Sequence, residues 1–254
     1  MTILKSFILG SVQGLTEFLP VSSSGHLVII QNLFGLGSEI GFDVLLHFAT
    51  ILAILVYFRK DILEMFKGVC GKSETGLLYI KAIIIGSVPT AIIGLVFKDT
   101  FEEKFSQPKT VLVMLLITGV ILFFASKYSR GKSGKDIWSN KIPDFLLIGI
   151  LQGIAIMPGI SRSGMTIAAA LLLGFKKDWA FKYSMLLSIP AVLGAGILEL
   201  DKIELNSFSV YGGIAAFIVG IVALQILSKF VIKEKIHIFS YYLWVTGILG
   251  LVLM

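Results

Sequence analysis

Residues 10–26, GSVQGLTEFLPVSSSGH, return in altered form at residues 149–165, GILQGIAIMPGISRSGM, aligned without a gap at an offset of 139. Gly10/Gly149, Gln13/Gln152, Gly14/Gly153, Ser22/Ser161, Ser24/Ser163 and Gly25/Gly164 coincide. Each copy reads as an apolar helix interrupted by Pro, Gly and a serine cluster. A duplicated apolar segment that twice breaks itself with polar residues is the pattern of a chain assembling one site from two halves. Weaker echoes accompany it: Phe42 aligns with Phe181 at the same offset, and Thr118-Gly119 resembles Thr246-Gly247 after a shorter loop.

The surroundings of these breaks are a bilayer rather than water. The chain is 56% apolar and 15% charged, with mean hydropathy +0.92, whereas soluble domains are about 25% charged. Residues 18–38, 110–126, 145–161, 205–228 and 236–254 carry no Lys, Arg, Asp or Glu, and a membrane span needs roughly 17–25 predominantly apolar residues. A soluble domain of this length lacks the volume to bury so many full-length apolar runs. No cleavable signal peptide is legible after Met1. Cys70 is the single cysteine, which excludes an intrachain disulfide. The net charge of +6 sits in short inter-helix loops, a pattern that sets membrane topology rather than binding nucleic acid.

The expected fold is an all-α integral membrane protein of two inverted-topology repeats. Each repeat is a re-entrant broken helical hairpin followed by three transmembrane helices. The first occupies 1–127, with its hairpin at 2–35 and spans at 42–58, 78–97 and 109–126. A basic linker follows at 128–142. The second occupies 143–254, with its hairpin at 143–174 and spans at 179–198, 208–228 and 237–254. Three spans per repeat invert the second half, and the charges then segregate. The segments around 59–81, 127–141, 176–182 and 229–235 fall on one face with 16 of the 22 Lys and Arg; Lys5, Lys98, Lys104, Lys109 and Lys202 fall on the other. The positive-inside rule places the first face in the cytoplasm and both termini outside it. The two hairpin tips then meet near mid-membrane.

Irregular backbone at that depth must be buried in protein or line a watery cavity. Half-helices starting near Ser23 and Ser163 aim N-terminal amides at such a cavity, a geometry that attracts phosphate. Gln13 and Glu17 share one helix face. A carboxylate in an apolar helix marks a functional position by default, holding a divalent ion or acting as a base; its plainer role is an ion pair with Arg162. Ser23 and His26 lie three apart in the first turn of the half-helix, the minimal arrangement for an activated nucleophile. Arg162 lies alone among Lys and Arg in being outside the loop regions, and its planar fork suits phosphate. Ser22, Ser24, Gly159, Ser161, Ser163 and Thr166 are expected as phosphate donors or helix caps. Pro89 and Pro190 read as kinks. Asp43 and His47, an i,i+4 pair near the start of a span, read as interfacial hydrogen-bonding residues, with a reach to the cavity mouth as the alternative; His237 reads as interfacial.

At these residues the chain resembles the undecaprenyl-diphosphate phosphatase family associated with bacitracin resistance. The first motif of that family, Glu or Gln, three residues, then Glu, leading into Pro-Val-Ser-Ser-x-Gly-His, reads here Gln13 to Glu17 and Pro20 to His26. The second, P-G-x-S-R-S-x-x-T, reads Pro158-Gly159-Ile160-Ser161-Arg162-Ser163-Gly164-Met165-Thr166. The resemblance implies a membrane phosphatase of the bacterial plasma membrane that removes one phosphate from undecaprenyl diphosphate and recycles the lipid carrier for cell-wall polymers. It also implies dependence on a divalent cation, Mg²⁺ first and Ca²⁺ second, with Glu17 and Gln13 as the residues to hold it. Catalysis falls to Glu17, Ser23, His26 and Arg162, with Ser23, His26 or water as nucleophile. The expected partners are the polyprenyl diphosphate and the bilayer, with a homodimer also compatible and no nucleic acid.

Two other readings compete. A polyprenyl-phosphate transporter or flippase would use the same inverted-repeat cavity, although Ser, His, Glu and Arg together favour chemistry. The phosphatidic-acid-phosphatase superfamily also has a Ser-Gly-His stretch, but needs a His after Ser-Arg, and Ser161-Arg162 is followed by SGMTIAAALLLG.

Overall fold

The structure is a computed structural model that describes residues 1–37, 39–105, 107–129, 134, 141–203 and 205–253. Among these residues the regular structure is helical: α1 (Ile3–Phe18), α2 (Ser23–Leu33), α3 (Ile40–Tyr57), α4 (Arg59–Val69), α5 (Glu74–Val96), α6 (Lys98–Phe105), α7 (Pro108–Ser129), α8 (Ile142–Ile154), α9 (Arg162–Leu172), α10 (Lys177–Ile197), α11 (Ser207–Ile232) and α12 (Ile238–Leu253). Five of them, α3, α5, α7, α10 and α11, are long and apolar enough to cross a membrane, and α8 and α12 are shorter apolar helices. The outer surface agrees with a lipid environment, since residues such as Leu52, Ile84, Ile92, Ile218 and Ile248 are more than half exposed. Most of the 128–142 linker lies outside the described residues.

Two helices occupy stretches expected to be loops. α4 forms within the basic segment 59–81, and α6 forms at 98–105. Membrane-scale hydropathy passes over α4 because half its residues are polar. Its local signals are nevertheless helical: Asp61 in the first turn and Lys67 in the last complement the helix dipole, and Lys67 pairs with Glu64 at 3.2 Å. The next helix, α5, begins four residues earlier than the expected span because Ser73 caps it, accepting the Gly76 N–H at 2.9 Å.

The helix ends establish which segments share an end of the molecule. Lys5 Nζ donates to the Phe34 carbonyl at 2.9 Å, so the start of α1 meets the end of α2. The rings of Phe145 and Phe175 lie 6.3 Å apart, bringing the start of α8 to the end of α9. Lys182 pairs with Asp61 at 2.6 Å and Lys177 pairs with Glu234, which ties α4, α10 and the turn after α11 together at one end. Lys98 pairs with Glu199 at 3.6 Å, and the Ser6 hydroxyl donates to the Phe208 carbonyl.

The two sequence copies pack crosswise. α1 lies along α11, while α8 lies along α5. Both crossings are backbone to backbone at aligned glycines. A Cβ at Gly10 would collide with the Gly212 carbonyl, and one at Gly149 would collide with the Gly86 carbonyl. Small residues at such crossings are how membrane helices approach closely. Thr90 adds a hydrogen bond to the Gly149 carbonyl at 2.8 Å, fixing α5 on α8.

Because neither backbone can retreat from the other, Gly10→Ala and Gly149→Ala are each expected to lower the melting midpoint in detergent by about 3–10 °C, the consequence of 1–3 kcal/mol of overpacking. Gly194, inside α10 with open space around it, supplies the control: Gly194→Ala should not lower the midpoint.

Candidate active site

Both chain breaks are produced by local chemistry. α1 stops at Phe18 because Pro20 disfavours helical geometry at Leu19, which is extended (φ −61°, ψ 142°). The second break turns at Gly159, whose φ of +90° is open to glycine at no steric cost and whose missing side chain lets the turn lie on the Val111 carbonyl of α7. Each new half-helix is capped by the aligned serine. Ser22 Oγ accepts the Gly25 N–H at 3.4 Å, and Ser161 Oγ accepts the Gly164 N–H at 3.1 Å. The hydroxyl pairs also repeat, Ser22 with Ser24 at 3.3 Å and Ser161 with Ser163 at 3.2 Å. Ser22 reaches its position with φ 69°, a conformation costing a non-glycine residue on the order of 1–3 kcal/mol.

The residue after each cap, the first of its half-helix, is Ser23 in one copy and Arg162 in the other, and both reach Glu17. Ser23 Oγ donates to Glu17 Oε2 at 2.6 Å, and Arg162 Nη2 donates to Oε1. Gln13 Nε2 donates to Oε2 at 3.0 Å from one turn back on α1. Arg162 Nη1 is anchored on the Ser188 carbonyl of α10 at 3.3 Å, which holds the guanidinium plane. The carboxylate is nearly sealed, with 5% of its side chain exposed against 18% for Arg162. Arg162 is the more exposed partner of the pair. A buried carboxylate held by a guanidinium and two neutral hydrogen-bond donors gathers donors and charge at one point, an arrangement suited to a phosphate oxygen.

The fourth neighbour of Glu17 is His47 of α3, whose Nε2 lies 3.5 Å from Oε2. The sequence expectation of an interfacial Asp43/His47 pair is corrected by the structure: His47 belongs to the site, and its Nδ1 donates to its own-helix Asp43 carbonyl at 2.8 Å. Asp43 accepts from Gln31 Nε2 at 2.7 Å. The sequence shows the spacing of Asp43 and His47, but not that α3 turns this face toward α1.

His26 is near the site but faces elsewhere. Its Nδ1 donates to the Ser22 carbonyl at 2.8 Å, and its Nε2 accepts from the Tyr242 hydroxyl at 2.6 Å. The two rings stack 5.7 Å apart. The hydroxyl of Ser23 thus points to Glu17 rather than to His26. Tyr242 of α12 carries no sequence signal. Of the remaining expected residues, Ser22 and Ser161 serve as caps, and Ser24 is half-buried beside Ser22. Ser163 Oγ also reaches the Leu19 carbonyl at 3.4 Å, joining the two breaks. Thr166 is buried against Ser184 Oγ at 2.5 Å and the Arg162 carbonyl at 2.9 Å, one turn below the N-terminal end of α9.

A cation would find a sparse donor set. Among the described residues, no three His, Cys, Asp or Glu side chains converge. Glu17 supplies a carboxylate, and Gln13 Oε1 is buried with no hydrogen-bond partner. One carboxylate and one orphaned amide oxygen fit an ion that takes its other ligands from phosphate oxygens and water, the habit of Mg²⁺.

Comparison with known proteins agrees with the motifs. The family described as bacitracin resistance protein BacA matches residues 6–249. The chain is 45% identical over 239 residues to an undecaprenyl-diphosphatase of Thermosipho africanus, covering 94% of this chain and 95% of that one. It is 43% identical to an undecaprenyl-diphosphatase of Methanococcus vannielii, covering 96% and 98%, and 43% identical to one of Carboxydothermus hydrogenoformans, covering 100% and 98%.

Removing one partner of the buried pair leaves the other charge without compensation. Arg162→Ala is expected to destabilise the protein by about 3 kcal/mol, while Glu17→Gln/Arg162→Met, which removes both charges, should cost clearly less. Unfolding in mixed micelles of Arg162→Ala and of the double variant checks this.

Proposed function

Because the chain belongs to the BacA bacitracin-resistance family, we propose that it hydrolyses undecaprenyl diphosphate to undecaprenyl phosphate and inorganic phosphate, returning the lipid carrier to cell-wall synthesis. The observation that carries this reading is the convergence of Ser23 and Arg162, first residues of two distant half-helices, on the two oxygens of Glu17. The relatives named as undecaprenyl-diphosphatases align over nearly all of the chain. The transporter reading draws no support from them.

In the proposed mechanism the polyprenyl tail stays in lipid and the diphosphate approaches Glu17 from the arginine side. Arg162 engages phosphate oxygens with its fork while the N-termini of α2 and α9 contribute their dipoles. Ser23 Oγ attacks the terminal phosphorus in line. The bond to the bridging oxygen breaks and undecaprenyl phosphate departs. Glu17 Oε2 takes the hydroxyl proton along the existing 2.6 Å hydrogen bond. Water then attacks the phosphoserine, releasing phosphate and restoring the hydroxyl. His26 as nucleophile would first have to lose Tyr242 from Nε2, which favours the serine. A divalent ion held by Glu17 and Gln13 Oε1 would neutralise phosphate charge as the anhydride breaks.

The finer architecture is part of the same proposal. The α1–α2 pair closes on itself through Lys5 and Phe34, the α8–α9 pair through Phe145 and Phe175, and the second closure lies beside the end that carries Lys177, Lys182 and Asp61. These contacts support two re-entrant hairpins entering a bilayer from opposite sides. The basic segments at 59–81, 176–182 and 229–235 then face the cytoplasm and the termini face out.

Purified protein in detergent, given undecaprenyl diphosphate, is expected to release phosphate without a second compartment. Ser23→Ala, Glu17→Gln and Arg162→Lys should each lower kcat by roughly 10²–10⁴, the lysine retaining charge but losing the fork. A Ser23→Ala enzyme with near-normal turnover would remove the serine as nucleophile and leave His26 or water.

A further inference from the structure

His47 adds a donor that neither motif contains. Its Nδ1 is bonded to the Asp43 carbonyl at 2.8 Å. A carbonyl oxygen only accepts, so Nδ1 carries the hydrogen. In the neutral ring, Nε2 then presents its lone pair, and it presents it toward Glu17 Oε2, 3.5 Å away. Two acceptors facing each other need a positive species between them, either a proton on Nε2 or a metal ion. The pattern of one ring N–H held by a backbone carbonyl and the other nitrogen free is how metal-binding histidines are oriented.

Three further observations point the same way. Two ligands that share one ion at about 2.1 Å each stand roughly 3.0–3.4 Å apart at octahedral to tetrahedral angles, close to the separation of His47 Nε2 and Glu17 Oε2. Gln13 Oε1 has no hydrogen-bond partner, while its Nε2 is bonded to that same carboxylate oxygen. Rotating the amide would exchange this bond for a third ligand. Finally, 29% of the His47 side chain is exposed against 5% for Glu17, so the gap is reachable from the site mouth.

We propose that His47 Nε2 is a direct ligand of the divalent ion, together with Gln13 Oε1 and the lone pair of Glu17 Oε2 that the Gln13 amide vacates, Ser23 keeping the other lone pair, and that it shifts the site from all-oxygen ions toward a transition metal such as Mn²⁺. Carboxylate, amide and phosphate oxygens alone suit Mg²⁺ or Ca²⁺, whereas an imidazole nitrogen favours first-row transition ions. This inference rests on the divalent ion of the proposed phosphatase mechanism and extends it to an ion choice written in this chain's own α3.

The test uses Mn²⁺ itself. Purified full-length protein in detergent is loaded with Mn²⁺ and probed by pulsed electron paramagnetic resonance for coupling to a histidine nitrogen, with phosphate release from undecaprenyl diphosphate measured in parallel. The expected result is a nitrogen coupling in the wild type that vanishes in His47→Gln, persists in His26→Gln, and changes frequency when histidine is labelled with ¹⁵N. His47→Gln substitutes an oxygen donor, so it should also need about ten-fold less Mg²⁺ to displace bound Mn²⁺. Melting midpoints of the variants identify any loss of fold. Absence of Mn²⁺ binding, Mn²⁺ bound without nitrogen coupling, or coupling retained in His47→Gln overturns the ligand assignment. The phosphatase reading survives those outcomes if phosphate is still released, and fails separately if the wild type releases none with any ion.

Discussion

The ion pair between Glu17 and Arg162 is the constraint on which the remaining architecture depends. The partners are 145 residues apart, one in the last turn of α1 and the other at the first position of α9. Isolated from each other in an apolar protein, either charge would be costly. Together they fix where two helix breaks must meet, and the glycine crossings of α1 on α11 and α8 on α5 set how closely the surrounding helices can approach. Gly149 and Gly10 hold no functional group, yet a side chain at either would move a break away from its partner.

Sequence duplication accounts for the geometry but not the chemistry. At the aligned positions the backbone events are nearly the same: a serine cap, a glycine N–H donating to it, and a second serine two residues on. The side chains at the first helical position differ, hydroxyl in one copy and guanidinium in the other. The acid has no counterpart at all, because the position aligned with Glu17 is Ile156. Gln152, aligned with Gln13, donates to Thr90 Oγ1 at 3.1 Å instead of to an acid. One copy carries the serine and the acid, the other the arginine that pairs with that acid. Neither half holds a complete site.

Much of this is legible in the residues. The broken segments stand out because Pro20, Pro158 and the serine clusters interrupt runs otherwise fit for lipid. Glu17 and Arg162 stand out because a charge placed in such a run is expensive unless it is paired or put to use. What the residues hide are relations that depend on rotation about helix axes. The i,i+4 spacing of Asp43 and His47 shows that they share a face, not that this face meets α1. The separation of Ser23 and His26 allows them to meet, but the ring is turned to the Ser22 carbonyl and Tyr242, a residue 216 positions away. α4 escapes a hydropathy reading because its amphipathic pattern is set by a 3.6-residue period rather than by mean apolarity.

The central claim is that the two breaks touch. A Cβ on Gly164 would lie 3.0 Å from the Cβ of Pro20, so a disulfide forms there once the two breaks part by roughly 0.5–1 Å. The most direct measurement is oxidation in membranes of Pro20→Cys/Gly164→Cys in a Cys70→Ser background, with a protease site placed in the 128–142 linker. If the breaks meet, the cleaved halves remain joined on a non-reducing gel and separate on reduction. Halves that part without reductant, under conditions where each single cysteine is accessible to a thiol reagent, would contradict the account.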